Sequence, residues 1–219
     1  MPDLEIDDSL MNQFVCPTGE QGRKIAALMN EHHDQLTSWG LSHVKIPQAS
    51  VILDVGVGGG KTVGKLADLA VNGKVFGIDY SKDMVKYSKS QNQRLVVEGK
   101  ISLLQGVVQN LSFPNDFFDL VTAVETYYFW PNLPKAFREI NRVLKAGGKL
   151  LIISEMVKDG RYEVENAEMI AKVHVKLYST LELQVMLERE GFKVKVFRKP
   201  CSPWNMLLLK KQESKNILF

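Results

Sequence analysis

The sequence predicts an α/β fold: a three-layer sandwich with helices on both faces of a mostly parallel seven-stranded sheet, closed by a C-terminal antiparallel hairpin. Three observations predict it. From Ser50 onward, short apolar runs alternate with helical segments, the pattern of strands joined by right-handed crossover helices. The helical segments stop at Asn72-Gly73, Gly99 and Gly147-Gly148, and glycine takes the left-handed conformation of a helix stop without a steric penalty. The last two apolar runs are separated by Lys199-Pro200-Cys201-Ser202-Pro203, which leaves no room for a helix, so these strands pair antiparallel.

The elements follow in order. Residues 1–19 carry the breakers Pro2, Pro17 and Gly19 and read as irregular. From about Glu20 to Trp39, Ile25, Leu28, Met29, His32, Leu36 and Trp39 recur at helical spacing, until Gly40 and Pro47 end the pattern. Residues 1–45 are therefore expected to be a helical extension lying over the site of a single domain, 1–219. Val51–Val55 is the first strand, apolar enough to be buried on both faces. A helix with Val63, Leu66, Ala67 and Ala70 inward leads to the second strand, Val75–Ile78. Ser81 caps a helix carrying Met84, Val85, Ser88, Leu95 and Val96. Ile101–Leu104 and Leu120–Val124 are the third and fourth strands. A helix with Leu133, Ala136, Phe137, Ile140 and Leu144 precedes the fifth, Leu150–Ile153. Residues 157–178 are polar and mixed, a candidate cap over a substrate. Ser179-Thr180-Leu181-Glu182 has capping-box spacing before a helix that ends at Gly191. Phe192–Phe197 and Trp204–Leu209 form the hairpin.

Composition narrows the function. The 219 residues are 45% hydrophobic and 24% charged, which suits one domain with a full core. A net charge of +3, from 28 basic and 25 acidic residues without a dense basic patch, argues against nucleic acid as a partner. Cys16 and Cys201 offer neither a disulfide framework nor metal spacing. The opening MPDLEIDDSLMNQF is acidic and lacks a signal-peptide run, and no apolar stretch reaches the roughly 18 residues of a membrane span. A cytoplasmic protein is expected, and the oligomeric state is left open.

The first strand runs into Asp54-Val55-Gly56-Val57-Gly58-Gly59-Gly60 and then a helix. Glycines there let the backbone turn sharply and let a ligand approach the peptide groups, while the helix start favours an anionic group. About 20 residues further on, the second strand ends in Asp79, placed to accept hydrogen bonds from ribose hydroxyls. The pair is a nucleoside-binding signature. Gly60-Lys61-Thr62 invites a triphosphate loop, but Val55 stands where that loop needs glycine, so Lys61 reads as a solvated residue of the first helical turn. The nicotinamide fingerprint needs glycine at position 61 or 63, where Lys61 and Val63 stand.

The segment resembles the first motif of the class I (Rossmann-like) S-adenosylmethionine (SAM) dependent methyltransferases, [Asp/Glu]-x-Gly-x-Gly-x-Gly, at Asp54, Gly56, Gly58 and Gly60. The resemblance continues through Asp79-Tyr80-Ser81 with Met84, through Gln105-Gly106-Val107-Val108-Gln109, through Phe118-Asp119-Leu120-Val121, and through Arg142-Val143-Leu144-Lys145-Ala146-Gly147-Gly148. It covers roughly residues 50–211 and is nearest the small-molecule branch that includes quinone-biosynthesis methyltransferases. It implies that SAM binds and leaves as S-adenosylhomocysteine. It also implies a cofactor site of Asp54, Gly56, Val57, Gly58, Gly60, Asp79, Tyr80, Met84, Val107, Val108, Gln109 and Glu125. The family's acidic residue near the adenine amino group is replaced by Val107, which leaves that contact to Gln109 or to backbone.

Methyl transfer from a sulfonium needs alignment and exclusion of water more than a protein nucleophile, and a base only if the acceptor must lose a proton. The candidates for acceptor chemistry are Glu125, Tyr127, Tyr128 and His174. Glu125 reads equally as a base or as a hydrogen-bonding structural group. Tyr127 and Tyr128 read equally as cavity rings or as packing, whereas Phe129 reads as packing. His32, His33, His43 and His174 show no metal spacing, and His32 reads as a packed residue of the first helix. Gly19-Glu20-Gln21-Gly22-Arg23 is either a lid over the donor or a helix lead-in. The expected function is methyl transfer from SAM to a small molecule. The alternatives are a protein that holds SAM without turnover and a nicotinamide oxidoreductase.

Overall fold

The computed structural model describes residues 13–158, 164, 167, 170, 171 and 175–212. Seven strands form one sheet: β1 (Val51–Val55), β2 (Lys74–Asp79), β3 (Ile101–Gln105), β4 (Phe118–Val124), β5 (Leu144–Ser154), β6 (Phe192–Arg198) and β7 (Asn205–Lys211). Their order is β3-β2-β1-β4-β5-β7-β6. The first five strands run parallel, and β7 lies antiparallel between β5 and β6. The helices are α1 (Gly19–His32), α2 (Asp34–Ser42), α3 (Lys61–Leu69), α4 (Lys82–Gln91), α5 (Gln93–Val97), α6 (Leu133–Val143) and α7 (Thr180–Arg189).

Consecutive strand residues point to opposite faces, so each face of the sheet buries its own core. On one face, Leu36 and Leu41 of α2, Val63 and Leu66 of α3 and Val85 of α4 pack over Ile52, Val75, Leu120 and Leu151. On the other, Phe137 and Ile140 of α6 and Leu183 and Leu187 of α7 pack over Leu53, Val121, Leu150 and Leu209. Among the described residues, no helix is long and apolar enough to cross a membrane.

Three elements differ from the sequence reading. The helix expected over 20–39 is broken at His33 (φ −86°, ψ 0°), and Leu28 is 47% exposed instead of packed. The helix after Ser81 breaks at Asn92, whose side-chain amide donates to the Ser88 and Gly60 carbonyls; such local bonding competes with the helical ladder. Gly147-Gly148 does not end a helix. Helix α6 stops at Val143 and β5 begins at once, with a bulge that pairs Phe118 with Leu144 but Leu120 with Lys149. Lys145 in that bulge reaches Asp119 (2.7 Å), whose second oxygen accepts the Val51 N–H (2.7 Å) and so ties the start of β1 to β4.

The chain leaves β1 toward one edge of the sheet and β4 toward the other. The crevice beyond the carboxyl ends of these two strands is where open α/β sheets bind ligands.

Candidate active site

The loop leaving β1 uses its glycines for different reasons. Gly56 (φ +79°) donates its N–H to the Ile78 carbonyl (2.8 Å), and a Cβ there would lie 2.3 Å from Thr126 Oγ1. Gly60 (φ +85°) opens α3, and a Cβ would meet Ser88 Oγ at 2.3 Å. Gly58 (φ +47°) differs: a Cβ would find nothing within 4 Å. Its backbone faces open space, the arrangement a closely approaching ligand needs.

Asp79 stands beside it at the end of β2. One carboxylate oxygen accepts the Gly58 N–H (2.9 Å) and the other the Ser81 N–H (2.9 Å). Burial raises its pKa, and the two amides oppose that rise. Behind the loop, the Thr122 hydroxyl donates to Asp54 (2.6 Å). Burial pushes Asp54 up to about 7, with the nearby Asp79 charge adding to the shift.

The loop borders a cavity of about 870 Å³, near the upper end of the roughly 300–1,000 Å³ range of ligand pockets. Gly56, Val57, Gly58 and Asp79 line it, as do Tyr80 and Met84 after β2. Val107, Val108 and Gln109 after β3 and Glu125 and Tyr128 after β4 complete the residues expected there. Three candidates stand back from it. Asp54 is buried behind the loop, Gly60 packs on Ser88, and Tyr127 is buried with its hydroxyl donating to the Met156 carbonyl (2.8 Å). Phe129 packs edge-on against Tyr128 and also lines the cavity. His174 and most of 157–178 lie outside the described residues.

One further reading changes. Lys61 is not a free solvated residue: its ammonium pairs with Glu31 (2.9 Å) and Asp34 (3.2 Å). Of the two readings of Gly19–Arg23, the helix lead-in holds: these residues open α1, and the cavity wall is made by neighbours that include Pro17, Ile25 and Met29. This N-terminal wall is fastened through its backbone. The Tyr80 hydroxyl donates to the Val15 carbonyl, the Ser81 hydroxyl to that of Pro17 (2.9 Å), and Gly19 N–H donates to Asp83 (2.8 Å).

At the far end of the cavity, Glu125 follows β4 in the left-handed region (φ +50°), which is costly for a residue with a Cβ. Its buried carboxyl accepts the Tyr128 hydroxyl (2.7 Å) and the Glu155 N–H. Burial, then the Glu155 charge, pushes it up to about 8. The Glu155 side chain meets His32 Nε2 at 2.7 Å and His33 Nε2 at 3.8 Å. His33 is pushed down to about 3 by burial and then by its neighbour His32. His32 is thus a polar cavity residue, not a packed one. Sequence reasoning missed Glu155; its position one residue beyond β5, beside the β4 terminus, was the available signal.

A nucleoside-type loop at a parallel switch point, with the last strand inserted antiparallel, defines the class I methyltransferase architecture. Residues 53–152 match the family model described as methyltransferase domain. The uncharacterized methyltransferase YdaC of Bacillus subtilis is 30% identical over 125 residues, 57% of this chain and 67% of that protein. The ubiquinone/menaquinone biosynthesis C-methyltransferase UbiE of Proteus mirabilis is 32% identical over 103 residues, 47% of this chain and 41% of that protein. A SAM-dependent methyltransferase from Aquifex aeolicus has the same fold, with a TM-score of 0.68 and 21% identity over 93% of this chain and 97% of that one. The chain spans 41% to 67% of the length of the curated relatives it matches. It belongs to the class I SAM-dependent methyltransferase family.

The residues present fit that family's donor. Gly58 leaves room for its tail and Asp79 keeps lone pairs for the sugar. The Gln109 amide nitrogen is buried in the cavity wall without a hydrogen-bond partner among the described residues, a cost of about 1–3 kcal/mol that a ring nitrogen would relieve.

Proposed function

We propose that the chain transfers a methyl group from SAM to a small-molecule acceptor bound at the far end of the same cavity. The observation that carries this is continuity: one cavity joins Gly58 and Asp79 to Tyr128, Phe129, His33 and Glu155. Bound SAM would supply an already activated methyl group.

The chain's own residues do the rest. Asp79 takes hydrogen bonds from the ribose and Gly58 admits the amino-acid tail. Met84 and Val108 pack on the base, and Gln109 reads its edge in place of the missing acidic residue. Phe129 and Tyr128 offer ring faces that favour a cationic or apolar group and exclude water. Ile25, Ala26 and Met29 close the acceptor end with apolar surface, which suits a small molecule better than a duplex. Glu125 holds its proton up to about pH 8, so at neutral pH it positions Tyr128 and the Glu155 backbone and takes no proton from the acceptor.

Calorimetry tests the donor half: SAM and S-adenosylhomocysteine bind and NAD does not. Incubation with methyl-labelled SAM and a metabolite extract tests transfer. Tight SAM binding with no labelled product would leave a SAM-holding protein instead.

A further inference from the structure

We propose that His32, His33 and Glu155 form a metal site, best suited to zinc, on the acceptor wall of the cavity, and that it binds an acceptor through a hydroxyl or thiol. One ligand atom from each of the three side chains can be chosen so that all lie within 4.8 Å of one another. His32 Nε2 and His33 Nε2 both approach Glu155 Oε1, at 2.7 Å and 3.8 Å.

That convergence is not what consecutive residues normally do. In a continuous helix neighbouring side chains diverge by about 100° around the axis. Here α1 ends at His32 and α2 begins at Asp34, with His33 as the joint between them. The break brings both imidazoles to one carboxylate, their rings edge to face with centroids 5.0 Å apart. Among the described residues no lysine or arginine pairs with Glu155; the nearby Lys61 is engaged by Glu31 and Asp34.

Two imidazoles and one carboxylate are the ligand set of open zinc sites, which keep a fourth position for water or substrate. All three line the cavity, so that position faces the space left for the acceptor. Glu155 is also held from behind, its backbone N–H donating to Glu125, which is braced by Tyr128. Such outer partners fix a ligand's orientation.

The role rests on the proposed methyl transfer. An acceptor O–H or S–H coordinated to zinc loses its proton to solvent. The freed electron pair forms the bond to the methyl carbon, and the pair of the breaking S–C bond stays on the donor sulfur.

The test titrates untagged, metal-free full-length protein with zinc by calorimetry, and separately with S-adenosylhomocysteine. One zinc per chain is expected, with affinity lowered well over a hundredfold in His33→Ala and Glu155→Gln, more than the 10–100-fold typical of losing only an outer partner. His32→Ala alters an exposed side chain and serves if the variants of the half-buried His33 and Glu155 do not fold; His43→Ala should leave affinity unchanged. Cobalt in place of zinc should give visible bands of a four- or five-coordinate site, lost in His32→Ala. Absence of zinc binding, or equal binding by wild type and His32→Ala, overturns the proposal. S-adenosylhomocysteine binding in that case leaves the methyltransferase reading intact, whereas zinc binding without it overturns that reading and not the site.

Discussion

Around the β1 loop the cavity is walled largely by main chain; at its far end it is walled by side chains gathered from distant segments. The β1 loop, the end of β2 and the start of α3 are neighbours by register, and they present amides, a glycine gap and one carboxylate. The far end collects His32 and His33 from the N-terminal helices, Glu125 and Tyr128 after β4, and Glu155 after β5. The first kind of wall is rigid and tolerates few changes. The second can be altered one residue at a time on an unchanged scaffold, which is how one fold serves many acceptors.

The largest effect should come from the main-chain wall. Gly56→Ala combines a positive φ with a Cβ 2.3 Å from Thr126, and should lower stability by about 4 kcal/mol in denaturant unfolding. Gly58→Ala has open space around it and should cost only about 1 kcal/mol of stability, while SAM affinity falls. Equal destabilisation by the two would erase the distinction between packed and ligand-facing glycines.

Asp79→Ala should weaken S-adenosylhomocysteine binding by about 1–3 kcal/mol in calorimetry, through loss of charge-assisted hydrogen bonds. An unchanged affinity would remove Asp79 from the sugar.

Glu125 sharpens the comparison through pH. Unfolded, it ionises near its ordinary 4.5; folded, it keeps its proton to about 8. Between these values the unfolded chain binds fewer protons at this group, so the contribution of Glu125 to stability is fully present below pH 4.5 and is lost as pH rises toward 8. Asp54, shifted from 3.8 to about 7, acts in the same sense. Glu125→Gln should therefore remove only part of the slope, gaining roughly 3 kcal/mol over wild type at pH 8 relative to pH 5. Parallel slopes would mean that Glu125 is ionised in the folded protein. Smallest of all, Lys61→Ala breaks partly exposed ion pairs and should shift stability by less than about 1 kcal/mol.

The same contrast explains what the sequence disclosed. The succession of strands, the hairpin and the donor loop follow from local rules: apolar runs, glycine stops, a turn too short for a helix. Even there, function and support were blended. Asp54 and Gly60 match the motif as closely as Gly58, yet only geometry separates the glycine facing the cavity from residues that prop the loop. The acceptor end was nearly silent. His32 and His33 have no spacing that suggests convergence, because an uninterrupted helix would part them. The break at His33 carries no glycine or proline to announce it. Glu155 lies more than 120 residues away, brought in by the pairing of β4 with β5.

The N-terminal wall is latched to the domain by the carbonyls of Val15 and Pro17 and the amide of Gly19. Every amino acid carries a carbonyl, so Phe14 and Val15 can be exchanged for other side chains while the latch keeps its grip. The side chains that Phe14 and Val15 present to the cavity can then vary without the fold having to be rebuilt, and a library randomised there would reshape the wall beside Tyr80.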